Sequence, residues 1–208
     1  VGATGTTAKL PDAKTLWTAP ADAALGTDKP VTLTWDNGAG LIFTREISIN
    51  DHYVFTVAQT VQNNTPAAIA LIPYGRIQRQ DTPVVAGWWV FFEGMLAFVG
   101  DKLQEVNYTD VQGAEQPTRV DSLGGWLGFT DKYWAATLIP DQTLSLSSSF
   151  QHQLQNNRDV YQVDYLAKEA IVVQPGTTAV YKDQLFAGAK VVKTIQAIGE
   201  KYNIPRFD

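Results

Sequence analysis

Cysteine is absent from the 208-residue chain, which excludes thiol nucleophiles, thiolate metal sites and disulfides. That absence suits a reducing cytosol and an exported domain without bridges equally well. Histidine is almost as scarce. His52 and His152 are the only two, and they stand far apart with no second histidine at metal-ligand spacing. Each therefore reads as a structural or surface residue. Positive charge is also in deficit: 16 Lys and Arg face 21 Asp and Glu, for a net charge of −5. With a pI near 5.0, the chain has no basic field to gather phosphates by counterion release, so nucleic acid is excluded as a partner. A G-x-S-x-G elbow, a G-x-x-x-x-G-K-[ST] phosphate loop and an EF-hand pattern are all missing. No long hydrophobic run occurs either. The most apolar stretch, residues 84–99, is interrupted by Gly87, Glu93 and Gly94, short of the roughly 20 apolar residues that a membrane-crossing helix needs. The sequence opens at Val1 with neither an initiator Met nor a signal pattern, so it is expected to be a segment of a longer protein.

What the chain does have is β chemistry. Hydrophobic residues make up 45% and aromatics 11%, and aromatic and β-branched side chains favour pleated, half-buried surfaces. Residues 1–30 are rich in Ala, Thr, Gly and Pro and read as loop with one short strand, an N-terminal edge segment. From Val31 the alternation begins: Val31, Leu33 and Trp35 against Thr32 and Thr34, then Asp36-Asn37-Gly38 as turn chemistry. Further period-2 segments are predicted at 41–50, 53–62, 69–78, 103–108, 126–130, 133–139, 144–154, 160–166, 171–174 and 178–186. About a dozen short strands imply a large antiparallel sandwich over 31–187. A single helix is predicted at 189–202, within a C-terminal segment 188–208. There Val191, Ile195, Ile198 and Tyr202 form an apolar stripe, and Asn203 precedes Pro205 as its stop. This stripe is expected to dock on the sandwich, because an isolated helix of such length is marginal in water. The class is all-β with one C-terminal α-helix.

Candidates for chemistry are few, and each has a plainer reading. Gly124, Gly125 and Gly128 surround Trp126, but no helix follows to supply an anion site, so they read as strand glycines beside a close backbone contact. Asp159, Asp164 and Glu169 could in principle supply a carboxylate pair, yet solvated strand edges explain them more simply. The run Trp88-Trp89-Val90-Phe91-Phe92 suits a doubly covered core strand or a partner surface, and large aromatics favour the core. Asn63-Asn64-Thr65 and Asn107-Tyr108-Thr109 match a glycosylation pattern too short to carry weight. The pairing of His152 with Glu169 is the one acid–base combination that a mutarotase-like reaction could use.

The stretch at 124–142, GGWLGFTDKYWAATLIPDQ, resembles the exported domain of the YidC family of bacterial membrane protein insertases. So do KDQLFAGAKV at 182–191 and NIPRFD at 203–208, while 31–65 and 101–110 are similar to the α-proteobacterial branch. The resemblance implies a β-supersandwich, similar in outline to galactose mutarotases and sugar-binding domains, on the periplasmic face of the inner membrane. It implies a non-catalytic accessory role, with the SecDF component of the Sec translocon, nascent membrane proteins and the protein's own membrane domain beyond Asp208 as partners. No active-site residue, cofactor or metal is carried over with it. Within the most family-like stretch, Gly125, Trp126, Gly128, Phe129, Thr130, Asp131, Tyr133 and Trp134 are expected to be structural, with the aromatics filling the interior. A start inside the family's exported domain would leave an exposed sheet edge near the N-terminal segment. The alternative reading is a sugar-binding or mutarotase-like protein.

Overall fold

A computed structural model describes residues 2, 3, 8–84 and 92–207. The strands in chain order are β1 (Gly2–Ala3), β2 (Val31–Asp36), β3 (Leu41–Ile49), β4 (Val54–Asn63), β5 (Ile69–Ile72), β6 (Tyr74–Gln80), β7 (Gly94–Val99) and β8 (Lys102–Val106). They continue with β9 (Thr118–Leu123), β10 (Trp126–Thr130), β11 (Trp134–Ile139), β12 (Ser145–Gln155), β13 (Arg158–Ala167), β14 (Ile171–Val173) and β15 (Thr178–Ala189). Two helices, α1 (Tyr108–Gln112) and α2 (Val192–Tyr202), complete the described residues. The fold is all-β and antiparallel with a C-terminal helix. The aromatic run at 88–91 lies outside the described residues.

The chain forms two compact units, residues 1–74 with 167–185 and residues 75–166 with 186–208. In the first, β3 pairs with β2 and β4 along its length, Leu41 opposite Asn63 and Ile49 opposite Phe55. A smaller sheet has the order β1-β5-β14, with Gly2 opposite Ile72 and Val173 opposite Ile69. β1, at the segment where an exposed edge is expected, is itself the edge strand of that sheet. The core of this unit is Leu41, Phe43, Val61, Ile69, Leu71 and Val173, with Trp17 and Trp35 packed against it. Asn63 is fully buried within it: its Nδ2 donates to the carbonyls of Ala67 (2.8 Å) and Val173 (2.9 Å). Its Oδ1 accepts from the backbone N–H and hydroxyl of Thr65 at 3.0 and 2.7 Å. A side chain so engaged has no room for a glycan, which disposes of the first glycosylation pattern.

In the second unit the order β8-β7-β10-β11 forms one sheet, and β6-β13-β12-β9 another. Every residue of β10 is buried. Gly128 is required there because a Cβ would stand 2.0 Å from the carbonyl oxygen of Ala136 on β11, a contact no larger residue can relieve without moving the pair apart. Gly125, at φ +107°, has the left-handed geometry that glycine tolerates, and its own absent Cβ would meet the Phe98 carbonyl at 2.3 Å.

Three expectations need correction. The strand predicted at 69–78 is two strands, since Pro73 offers no N–H and the chain changes sheet there. The strand predicted at 103–108 ends at Val106, where Asn107 and Asp110 form a capping box that opens α1. Finally, α2 begins at Val192 rather than at 189, because Lys190 still donates its N–H to the Tyr133 carbonyl (2.8 Å) and so extends the strand ladder. Val191 is then the extended N-cap and is 55% exposed, so it is not part of the buried stripe. Ile195 and Ile198 are buried, and Tyr202 is half-buried. Asn203, in left-handed conformation, ends the helix in a Schellman arrangement, with Ile204 N–H to Gly199 O (3.0 Å) and Asn203 N–H to Glu200 O (3.3 Å).

Candidate functional site

A concave site of the second unit surrounds the β10–β11 hairpin, so the local sequence there sets what the site can do. Alternation puts Trp126 and Thr130 of β10 on the same sheet face as Thr137 and Ala135 of β11, because Gly128 pairs with Thr137 and Thr130 with Ala135. On this face lies a cavity of about 380 Å³, walled by Leu96, Trp126, Phe129, Phe186, Ile195 and Phe207. Lys132, Lys190 and Val192 line it too. Phe207 meets Trp126 edge-on at 5.2 Å between ring centroids and Phe186 at 6.0 Å. The wall is therefore mostly hydrocarbon and aromatic, with cations beside it.

Lys190 Nζ donates to the Thr130 hydroxyl at 2.8 Å, and no carboxylate among the described residues lies within ion-pair distance of it. Burial holds its pKa below the ordinary lysine value, against the pull of Asp131 and Glu93. Those two acids are engaged elsewhere. Asp131 is bonded by Arg79 at 2.5 Å, and Glu93 accepts the Lys132 backbone N–H at 2.9 Å.

A cleft of about 340 Å³ includes Gln78, Arg79, Asp131, Trp134 and Ala136 in its lining. Arg79 also donates to the Tyr108 hydroxyl (3.3 Å), whose phenol burial pushes above its ordinary pKa. Tyr133 and Trp134 were expected inside. Both are exposed, at 64% and 61%, because Asp131 N–H bonds the Trp134 carbonyl (2.8 Å) and makes this segment the turn between two strands. Trp126, Phe129 and Thr130 are buried at 2%, 5% and 5%.

The titratable candidates are held in hydrogen-bonded chains. His152 Nε2 and Asp159 Oδ1 are 2.7 Å apart, and the other carboxylate oxygen of Asp159 accepts from Thr82 at 3.0 Å. His152 thus has Asp159 as its partner, whereas Glu169 is an exposed residue of a turn. Asp164 is buried rather than solvated, accepting from Ser149 (2.9 Å), Gln151 (2.6 Å) and Gln162. Alternation alone leaves the face of the histidine undecided, the helical pattern places Lys190 only as a residue outside the apolar stripe, and no motif singles out Arg79. The isolated cation in the apolar run Ala189-Lys190-Val191-Val192 is the signal that could have found the lysine.

The whole chain, residues 1–208, matches the family model described as the YidC periplasmic domain. Over 96% of its length it is 45% identical to a membrane protein insertase YidC from Methylobacterium sp. (strain 4-46), covering 33% of that protein. Over 97% it is 43% identical to its counterpart from Rhizobium etli (strain CIAT 652), again covering 33%. The chain spans about a third of the length of these curated relatives. Among solved structures it is similar in fold alone to a TPR-domain containing protein from Parabacteroides distasonis, with 10% identity, TM-score 0.50, and 83% of this chain and 34% of that one covered. The match along the entire sequence and the two close relatives place the chain in the YidC periplasmic-domain family of membrane protein insertases.

Proposed function

We propose that this chain is the non-catalytic exported domain of a membrane protein insertase at the periplasmic face of the bacterial inner membrane. In this reading it supports the membrane-embedded part that follows Asp208 and presents surface to the SecDF component of the Sec translocon, while nascent membrane proteins are the cargo of the whole protein. One observation carries the reading: the chain matches the periplasmic-domain family from end to end yet spans only a third of each insertase it resembles. The engagement of His152 by Asp159, and of Asp164 by three side-chain donors, supports a structural use of the polar residues that otherwise invite catalysis.

The test uses the full-length protein in cells, with a photo-crosslinking residue placed singly at exposed positions such as Leu103, Leu123 and Tyr133. Adducts with SecDF from a contiguous set of positions are expected. Their absence from every position, with insertion of cargo intact, would overturn the partner assignment.

A sugar-binding or mutarotase-like protein is the second reading, favoured by exposed Trp134 beside Arg79 and Asp131 in one cleft. Aromatic faces and paired polar groups are what a sugar would use. Galactose titration followed by tryptophan fluorescence, alongside polarimetry of wild type and His152→Ala, is expected to show neither saturation nor catalysed rotation. Saturable binding or rotation lost in the variant would favour this reading instead.

A further inference from the structure

We propose that the cavity between α2 and the β10–β11 hairpin receives an acyl chain of an anionic phospholipid from a bilayer surface, with the headgroup phosphate held between Lys132 and Lys190. The proposal rests on the second unit alone and is independent of any partner of the insertase.

The cavity's volume, about 380 Å³, falls within the range of small-molecule sites. Its wall of Trp126, Phe186, Ile195 and Phe207 suits hydrocarbon, and an extended peptide would leave most of its backbone donors and acceptors unpaired there. At the other extreme of polarity, Lys190 is a half-buried ammonium whose Nζ has Thr130 Oγ1 as a neutral partner. A desolvated cation without a counterion is unfavourable, and a bound anion relieves it. Asp131 and Glu93 lie in its field without pairing with it directly: Asp131 is paired with Arg79, while Glu93 accepts the neutral Lys132 N–H and keeps its charge. Thr137 also lines the cavity at 4% exposure.

The surroundings match a membrane interface. The Lys190 N–H to Tyr133 O bond brings the 131–134 turn beside the start of α2. Tyr133, Val191 and Val192 are thereby exposed together, at 64%, 55% and 67%, with Lys132 Nζ over the Tyr133 ring at 5.1 Å. An aromatic, two aliphatics and two lysines are the side chains that sit at headgroup level. Because the whole chain carries −5, attraction to an anionic surface has to be local, as this cluster makes it.

Trp126 lines the cavity and supplies the probe. Vesicles of phosphatidylcholine with added phosphatidylglycerol, the latter brominated on its acyl chains, are titrated against the chain while tryptophan fluorescence is read. Quenching is expected with brominated phosphatidylglycerol, not with brominated phosphatidylcholine alone, and most of it should vanish in Trp126→Phe. In Lys132→Gln/Lys190→Gln, checked for folding by circular dichroism, partitioning should weaken by roughly twenty- to thirtyfold. Ala135→Leu, which narrows the cavity from β11, should reduce quenching while leaving the rim lysines in place. Equal quenching by both lipids, an unaffected lysine variant, or undiminished quenching in Trp126→Phe would each overturn the proposal. So would displacement of the lipid by an apolar peptide at lower concentration than by free phosphatidylglycerol, which would mark a peptide site.

Discussion

Trp126 on β10 donates its indole N–H to the backbone carbonyl of Pro205, 2.8 Å away, so a strand of the second unit is tied directly to the residues that follow α2. The bond explains why a tryptophan rather than a phenylalanine stands at this position: a buried indole needs a partner for its N–H. It also means that the helix is held at both ends, by the ladder at Lys190 and by the Pro205 contact.

From this follows a graded series at one position. Trp126→Phe keeps most of the packing against Phe207 and loses the bond to Pro205, and is expected to cost about 1 kcal/mol. Trp126→Ala, at a site only 2% exposed, should cost about 3–5 kcal/mol. Denaturant unfolding of both variants measures the series; equal losses would mean that the indole hydrogen bond, lost in both, sets the value and that ring packing adds nothing.

A charge beneath the helix should be far worse than the loss of one above it. Ile195 is 7% exposed and Lys193 is exposed, so Ile195→Asp is expected to destabilise by about 2–4 kcal/mol, whereas Lys193→Ala should stay within about 0.5 kcal/mol. Amide exchange along α2 reports the effect locally. Fast exchange across the helix in the wild-type chain would refute the docked arrangement from which both values follow.

These elements also show what the sequence could and could not convey. The segments of β3, β4, β10, β12 and β13 are legible because each buries apolar side chains; β10 buries every residue and β13 six in succession, so there the apolar run rather than a single face carries the signal. Period-2 alternation missed β9 (Thr118–Leu123), where exposed and half-buried residues alternate and no side chain is fully buried. The stripe of α2 was visible at Ile195 and Ile198, but Val191 was counted into it, since helical periodicity does not register a strand ladder running on to Lys190. Tyr133 and Trp134 misled for a related reason: aromatic identity argues for burial, whereas the 131–134 turn is a backbone fact that turns them outward. The cavity beside Lys190 was illegible because its wall is assembled from β7, β10, β15, α2 and Phe207, which no window of sequence holds together.

The buried amide of Asn63 offers a test in the first unit. Asn63→Ala removes two donated and two accepted hydrogen bonds at a fully buried position. A loss of about 2–4 kcal/mol is expected, since unsatisfied buried groups cost more than the bonds themselves contribute. Thr65→Ala, which removes one hydroxyl from the same network, should cost about 1 kcal/mol. If the two variants melt alike, Asn63 does not organise this corner of the unit.

Hydrogen bonds from His152 and then Thr82 hold the Asp159 carboxyl below its ordinary 3.8, while the neighbouring Asp81 charge opposes them weakly. Asp81 is lowered likewise by its pairing with Arg158. In both cases the folded-state pKa lies below the unfolded one, so the folded protein binds fewer protons between the two values. The contribution is therefore fully present above the ordinary carboxylate value of 3.8 and is lost as pH falls through the depressed one. Both groups reach solvent, which keeps the effect small. A melting profile from neutral pH down to below 3.8 should fall more steeply for wild type than for Asp159→Asn, and the two curves should converge at the acid end. Because Arg158 and Asp81 remain in that variant, some acid sensitivity should persist in it, and the double variant Asp159→Asn/Asp81→Asn should be flatter still. Parallel profiles for all three chains would show that this pair of surface contacts leaves acid stability to other carboxylates.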